Sequence, residues 1–196
     1  VTGSVAAFKS AALASKLTQQ GFIVETILTR SASKFIGSMT FEGVTGNVPH
    51  TGLWKSGEAM EHLNLSRNAD LVLVYPATAH FINKTYLGLG SDLASALMLG
   101  LDWQSIEKGE QALWIAPAMN TRMWNHPATR QSVDGLKARG VLILTPTEGH
   151  LACGDVGAGR LVEPDEILSF VHEPRLAYAF KIEAFSSQAT HDFDTF

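Results

Sequence analysis

An asparagine, a cysteine and a histidine carry the groups in this chain that are best suited to chemistry on a small substrate. Asn120 lies in the segment PAMNTRMW (117–124), after an apolar run, and its amide offers one acceptor and two donors. Cys153, the only cysteine, lies in the segment LACGD (151–155). His62 precedes another apolar run and could take a proton near neutral pH. These residue types suit substrate binding and proton transfer.

Each of these residues also has a purely structural interpretation. His62 is one of seven histidines, and a lone histidine is more often structural or solvated than catalytic. A single cysteine is usually a small buried hydrophobe, but the glycines around Cys153 favour an exposed loop. Met123 and Trp124 are better explained as core packing that holds Asn120 in one rotamer. Those glycines are Gly149, Gly154, Gly157 and Gly159.

The elements that position these residues alternate between apolar runs and amphipathic stretches, which predicts an α/β fold with a parallel sheet. Strands are predicted over 22–28, 71–75, 113–116 and 141–144, and helices over 5–20, 92–101, 127–139 and 163–172. The predicted architecture is a single Rossmann-like or flavodoxin-like, doubly wound domain over 1–173. A tail over 174–196, with a short helix around 176–185, follows it. Because a full strand is expected before the first helix, we expect residues upstream of Val1 to be absent from the sequence.

The turn before the first helix could bind a phosphate. Gly3 allows close approach of a ligand, and Ser4 and Val5 begin a helix whose free N–H groups attract anions. A simple strand-to-helix turn explains the same residues. The fingerprint GxGxxG does not follow, so a mononucleotide fits better than a dinucleotide. Thr29 and Ser31 could hydrogen-bond phosphate or ribityl oxygens. Alternatively, Ser31 and Ser33, which precede an apolar pair, cap a helix.

A second connection offers small residues next to the same edge of the sheet. A flat ring could lie against the backbone after the strand over 71–75, at the carboxyl edge where α/β proteins bind ligands. The residues that follow this strand are Ala77, Thr78, Ala79 and His80.

Composition excludes several other classes of protein. The net charge of −4 and the lack of a basic cluster argue against binding to nucleic acid. No apolar stretch reaches the roughly 18 residues of a membrane span. One cysteine cannot form an internal disulfide, which suits a reducing compartment, so we expect a cytoplasmic protein. No metal site is predicted.

The string PxMNxxMW, with His62 upstream and Cys153 downstream, resembles the flavin-dependent cysteine decarboxylases. Within that family the phosphopantothenoylcysteine decarboxylases of coenzyme A biosynthesis are most similar, and the resemblance runs from Val1 to about His172. It implies bound FMN, with His62 as the base and Asn120 as the ligand of the substrate carboxylate. FMN contacts are implied for Ala77, Thr78, Ala79, His80 and Ala118, of which His80 departs from the Asn or Asp common in relatives.

The resemblance also implies a substrate clamp over 150–160. Cys153 would supply a proton from this clamp, and further substrate contacts are expected at Met119, His150, Leu151 and Ala152. Asp155 and Arg160 are candidate ligand or loop-fixing residues, or partners in an ion pair within the clamp.

The implied reaction is decarboxylation of 4'-phosphopantothenoylcysteine to 4'-phosphopantetheine, through thioaldehyde and enethiolate intermediates. An alternative is a peptidyl-cysteine decarboxylase acting on the C-terminal cysteine of a precursor peptide; such enzymes generally lack Cys153. A non-catalytic FMN-binding regulatory homologue is a further alternative, although such proteins typically lose the histidine or the asparagine.

The family resemblance implies a homotrimer or an assembly of trimers, with FMN at the subunit interfaces. Apolar residues around Phe41, Trp54 and Met60 could form such an interface or part of the core.

Overall fold

A parallel sheet forms the centre of the fold, as the sequence predicts. The computed structural model describes residues 1–53 and 60–173. Within that part of the chain, β1 (Leu71–Ala77) pairs with β2 (Ala112–Pro117), which pairs with β3 (Leu142–Ile143), all in parallel. Three of the four predicted strands are therefore confirmed. The predicted tail helix around 176–185 lies outside the described residues.

Helices cover both faces of this sheet. Successive side chains of a strand point to opposite faces. The helices are α1 (Phe8–Gln19), α2 (Ser38–Thr45), α3 (Glu61–Asn68), α4 (Ala79–Tyr86), α5 (Leu93–Gly100), α6 (Trp103–Lys108), α7 (Thr121–Trp124), α8 (Pro127–Ala138) and α9 (Pro164–His172). Val74 and Ile115 pack into one apolar cluster with α4, α5, α6 and α8, whereas Tyr75 and Trp114 pack into a second cluster with α1 and α9. This arrangement confirms the doubly wound α/β fold.

The four predicted helices are confirmed, because local signals at their ends determine where they begin. A 3-10 turn (Val5–Ala7) leads into α1. Asp92 caps α5 by accepting from the backbone N–H of Ser95, and Pro127 occupies the first turn of α8. None of the helices in the described residues is long and apolar enough to cross a membrane.

The predicted strand over 22–28 is wrong as a continuous buried strand. The side chain of Ile23 is 89% exposed, so the segment cannot be buried on both faces. Its last part alone takes part in pairing. The backbone N–H of His50 donates to the carbonyl of Thr26 (2.8 Å), and the N–H of Leu28 donates to the carbonyl of His50 (2.9 Å).

Val1 and Thr2 lie between that segment and β1. The backbone N–H of Thr29 donates to the carbonyl of Val1 (3.2 Å), and the N–H of Thr2 donates to the carbonyl of Pro76 (3.3 Å). The Thr2 hydroxyl also donates to Pro76 (2.9 Å). These bonds bring the turn at Gly3 to the carboxyl edge of β1.

A half-buried ion pair joins α4 to the start of α5 and yields a stability prediction. Lys84 is only 6% exposed and pairs with Asp92, whose side chain is 41% exposed. Burial favours the neutral form of Asp92, but the hydrogen bonds from Lys84 and Ser95 outweigh it and hold the Asp92 pKa below its ordinary 3.8. We expect Asp92→Asn, which can still cap α5, to lower the free energy of unfolding by about 1 kcal/mol at pH 7, because Lys84 loses its partner while solvent at the exposed side of Asp92 weakens the pair.

Urea titrations at several pH values would measure this effect. A depressed pKa means that the stabilisation is present near neutral pH and is lost as the pH falls below about 4, so wild type and variant should converge in acid. Asp102→Asn is the matched control, since Asp102 caps α6 and is exposed. Equal losses in both variants would contradict the role given to the ion pair.

Candidate functional site

Asn120 forms a hydrogen-bonded cluster with Cys153 and Asp155. Its Nδ2 donates to the Cys153 Sγ (3.1 Å) and to Oδ2 of Asp155 (2.7 Å). Its Oδ1 accepts from the backbone N–H of Arg122 (2.8 Å) and so caps α7. Because only the amide oxygen can accept from an N–H, the cap fixes the rotamer and turns the NH2 group towards the cysteine.

The cysteine lies at the tip of a hairpin rather than in an irregular loop. β4 (Thr147–His150) and β5 (Val156–Arg160) pair antiparallel. The backbone N–H of Leu151 donates to the carbonyl of Asp155 (2.8 Å) and closes the tip over 151–155. Cys153 is exposed there, which agrees with the predicted exposed position and not with a buried hydrophobe.

Glycines in β5 let the hairpin pack closely against the segment that carries Asn120. The backbone N–H of Met119 donates to the carbonyl of Gly159 (3.1 Å). A methyl group on Gly159 would lie 2.1 Å from the carbonyl oxygen of Met119, and one on Gly157 would lie 2.7 Å from Oγ1 of Thr121. The glycine-rich composition of β5 therefore serves close packing.

The predicted clamp contacts lie along this hairpin. His150 and Ala152 are exposed, and Leu151 is partly buried. Arg160 contacts Glu163 (Nη2 to Oε1, 3.4 Å), so its carboxylate partner lies outside the clamp segment over 150–160.

The residues predicted to bind the phosphate of a nucleotide meet at Gly3. A methyl group at Gly3 would lie 2.5 Å from Cβ of Ser31, so no other residue fits this turn without a shift. The Ser4 hydroxyl accepts from the N–H of Ala6 (3.3 Å), and the Thr29 hydroxyl accepts from the N–H of Ala32 (3.2 Å). In the described part of the chain the Ser31 hydroxyl makes no capping hydrogen bond, so the cap predicted at Ser31 and Ser33 is wrong, and Thr29 supplies the accepting hydroxyl instead.

Hydrogen bonds bring the other predicted cofactor residues to the same edge of the sheet. Oγ1 of Thr2 accepts from the backbone N–H of Thr78 (3.0 Å), and the N–H of Ala118 donates to the carbonyl of Ala77 (3.0 Å). Ala77, Ala79 and Ala118 are buried, Thr78 caps α4, and Val5 and His80 are exposed. Since Ala118 lies two residues before Asn120, the nucleotide side and the cysteine side form one continuous edge.

His62 occupies the second residue of α3, which packs against α5. Its ring is partly buried, and its Nδ1 is buried without a hydrogen-bond partner among residues 1–53 and 60–173. No hydrogen bond in the same residues joins it to Asn120 or Cys153. A buried imidazole nitrogen normally has a partner, so this atom can accept or donate to a further group.

Two neighbours of Asn120 differ in their surroundings. Trp124 is buried, with the Arg130 guanidinium 4.9 Å from its ring centre, which confirms the core role predicted for it. Met123 is 50% exposed, so the core role predicted for it is wrong. On the short α7 these two adjacent side chains point to different sides.

Sequence reasoning missed Thr2 altogether, although its hydroxyl links β1 to the Gly3 turn. A polar residue before a Gly-Ser turn was the available signal.

A cavity of about 400 Å³ lies elsewhere, between α4, α5, α6 and α8, and none of the predicted site residues line it.

Comparison with known proteins places the chain in a family. A family model described as Flavoprotein matches residues 1–175. The coenzyme A biosynthesis bifunctional protein CoaBC of Mycolicibacterium smegmatis is 38% identical over 167 residues, 85% of this chain and 38% of that protein. CoaBC of Bacillus subtilis is 36% identical over 175 residues, 88% of this chain and 41% of that protein. The chain thus spans about two fifths of the length of these relatives.

Solved structures support the same placement. A cysteine-to-serine variant of PPC decarboxylase, complexed with pantothenoylaminoethenethiol, has a TM-score of 0.74 and 30% identity, covering 87% of this chain and 92% of that one. The FMN-binding protein AtHal3 has a TM-score of 0.72 and 30% identity, and the match covers 87% of this chain and 91% of AtHal3. The peptidyl-cysteine decarboxylase EpiD shares the fold. It has 23% identity and a TM-score of 0.67, and the match covers 88% of this chain and 94% of EpiD. As the sequence resemblance predicts, the chain belongs to the flavoprotein family and groups there with the flavin-dependent cysteine decarboxylases.

Proposed function

We propose that this chain binds FMN and decarboxylates 4'-phosphopantothenoylcysteine to 4'-phosphopantetheine, a step of coenzyme A biosynthesis. The observation that carries the proposal is the hydrogen-bonded cluster of Asn120 and Cys153 at the carboxyl edge of the sheet, next to Ala118. The CoaBC relatives and the PPC decarboxylase complex support the substrate. A cytoplasmic location belongs to the same proposal and is supported by the single cysteine.

The residues at this edge fit FMN. The turn at Gly3 has no side chain between the backbone and a ligand, and the exposed Ser31 next to it offers a hydroxyl. Ala77 and Ala118 are small and buried, with the partly buried Thr78 beside them, so a flat ring would lie against the backbone of these connections. When bound, FMN would supply a reversible acceptor for the electrons of the substrate thiol. The contacts at Ser4, Val5, Thr29, Ala79 and His80 belong to the same proposal.

Asn120 would hold the substrate by its carboxylate. The NH2 group points away from α7, so it can donate to a carboxylate without losing the cap. An uncharged donor binds this group without a full positive charge, which would stabilise the carboxylate and oppose its loss. Met119 and the hairpin residues 150–152 would border the substrate, and closure of the hairpin would exclude water.

Two residues would handle protons. His62 would take the proton of the substrate thiol, the role that the family resemblance implies for this residue, because a positioned imidazole is a common general base. Cys153, exposed at the hairpin tip, would donate a proton to the enethiolate carbon that remains after carbon dioxide has left.

We further propose that the active form is a homotrimer with residues of two copies at each site. Four exposed apolar side chains, which a neighbouring copy would cover, follow Gly3 and Ser31 in sequence. They are Val5, Phe8, Phe35 and Met39. Met60 is also exposed, whereas Phe41 is 1% exposed and belongs to the core, and Trp54 lies outside the described residues. Light scattering should give about three times 21.2 kDa, and a monomer would contradict this arrangement.

The function is tested by mass spectrometry of the product. Purified protein should show the absorbance of bound flavin and should convert 4'-phosphopantothenoylcysteine to 4'-phosphopantetheine. A peptide ending in cysteine is the competing substrate. Turnover of the peptide alone would favour the peptidyl-cysteine reaction, and a flavin-loaded protein without turnover would favour a binding role.

His62→Asn should retain FMN but lose at least about 100-fold in decarboxylation rate, because a positioned base contributes this much or more. Release of carbon dioxide and flavin absorbance would be measured on the same preparation. His172→Asn, at the exposed end of α9, is the control. Undiminished activity of His62→Asn would remove this residue from the mechanism.

A further inference from the structure

The Asp155 carboxylate accepts a hydrogen bond from the NH2 group of Asn120, which is the donor that the substrate carboxylate is proposed to use. The Asp155 Oδ2 lies 2.7 Å from Nδ2 of Asn120 and 3.5 Å from the Sγ of Cys153, both as an acceptor. Nδ2 also donates to Cys153. An amide nitrogen has two hydrogens, so both are used within this cluster.

A substrate carboxylate can therefore bind the NH2 group of Asn120 only if it replaces the Asp155 carboxylate there. The Oδ1 of Asn120 is held by the N–H of Arg122, so the amide cannot turn to offer another group. The carboxylate of Asp155 and that of the substrate are the same chemical group and would bind the same N–H with similar geometry. Asp155 and Cys153 are both exposed at the tip over 151–155, so movement of the tip would let the two carboxylates exchange.

We propose that Asp155 is an internal carboxylate that tethers the hairpin tip to Asn120 until the substrate carboxylate displaces it. This inference rests on the proposed function. Displacement leaves the Cys153 thiol without its carboxylate acceptor and so frees it to turn towards the substrate. When carbon dioxide has left, the product has no carboxylate, and Asp155 can return to Asn120. Asp155 is thus a positioning residue that selects for ligands bearing a carboxylate.

Steady-state kinetics separates this role from a structural one. Asp155→Ala should lower the KM for 4'-phosphopantothenoylcysteine about 5-fold, because no internal group competes for Asn120. Its inhibition constant for 4'-phosphopantetheine, which has no carboxylate, should change less than 2-fold. Asp155→Asn keeps an acceptor oxygen, so its KM should lie closer to wild type. Glu148→Gln removes one charge from exposed β4 and should match wild type in both constants.

A KM that rises in Asp155→Ala, or equal changes in both constants, would overturn the proposal. A second measurement does not depend on the reaction. Cys153 is the only thiol, so its alkylation by N-ethylmaleimide can be followed by mass in the flavin-loaded protein without substrate. The rate should be several-fold higher in Asp155→Ala than in wild type or Glu148→Gln, since the tether is gone. Equal rates would overturn the tether, whereas faster alkylation without any decarboxylation would overturn only the proposed function.

Discussion

Cys153→Ser is expected to stop the reaction after carbon dioxide has left and to yield an ethenethiol in place of 4'-phosphopantetheine. A serine hydroxyl is a far weaker acid than a thiol, so the proton for the carbon is no longer supplied. Formation of the saturated product should fall at least about 100-fold, while carbon dioxide is still released. Mass spectrometry would identify a product with two hydrogens fewer than 4'-phosphopantetheine, and absorbance would show reduced flavin.

Because Cys153 is exposed, a loss of activity in Cys153→Ser can be separated from a loss of stability. Because the side chain packs against no core, serine should leave the thermal midpoint unchanged. The related PPC decarboxylase, as a cysteine-to-serine variant, is complexed with pantothenoylaminoethenethiol, an ethenethiol of the expected kind. Ser169→Ala, on the exposed face of α9, serves as a control variant that is expressed, purified and assayed in the same way. Complete turnover by Cys153→Ser would contradict the role given to the thiol.

Asn120→Asp is expected to abolish substrate binding without unfolding the site. The aspartate oxygen can still accept from the N–H of Arg122, so α7 keeps its cap. The donor is lost, and a second carboxylate is placed where Asp155 Oδ2 lies 2.7 Å away. Repulsion from Asp155 and from the substrate should lower kcat/KM at least about 100-fold.

Asn120→Ala separates the two roles of this residue. Alanine removes both the donor and the cap, so it should lose activity and also about 1 kcal/mol of stability. Urea titration and kcat/KM would be measured for both variants. If Asn120→Asp were as unstable as Asn120→Ala, or if either kept wild-type activity, the proposed division between cap and donor would be wrong.

The central strands and the longer helices could be predicted because their signals are local. Continuous apolar runs form β1 to β3, and Asp92 and Pro127 mark the starts of α5 and α8. The segment over 22–28 is also largely apolar, but Glu25 and Thr26 interrupt it, and Ile23 is exposed. Whether an apolar run enters a sheet depends on neighbouring segments, and a single sequence does not contain that information.

The sequence could predict which residues to look at in the candidate site, but it could not predict how they contact one another. The motif resemblance pointed to Asn120 and Cys153, and the structure joins them across 33 positions of sequence. The pairing with Asp155 depends on the cap that orients the amide and on the tight approach of Gly159. Both are properties of backbone geometry that spacing does not encode. Met123 was misjudged for a similar reason, since a four-residue helix has no fixed inner face.

The close approach of Gly159 to Met119 has a consequence for redesign of the protein. Any larger residue at Gly159 would push β5 away from the backbone beside Asn120, and Gly157 is restricted in the same way by Thr121. The tip over 151–155 meets no such restriction, because most of its side chains face solvent. Engineering of a new substrate range should therefore vary Leu151 and Ala152 while Cys153, Asp155 and the two glycines of β5 are kept, so that the Asn120 amide stays beside the altered tip.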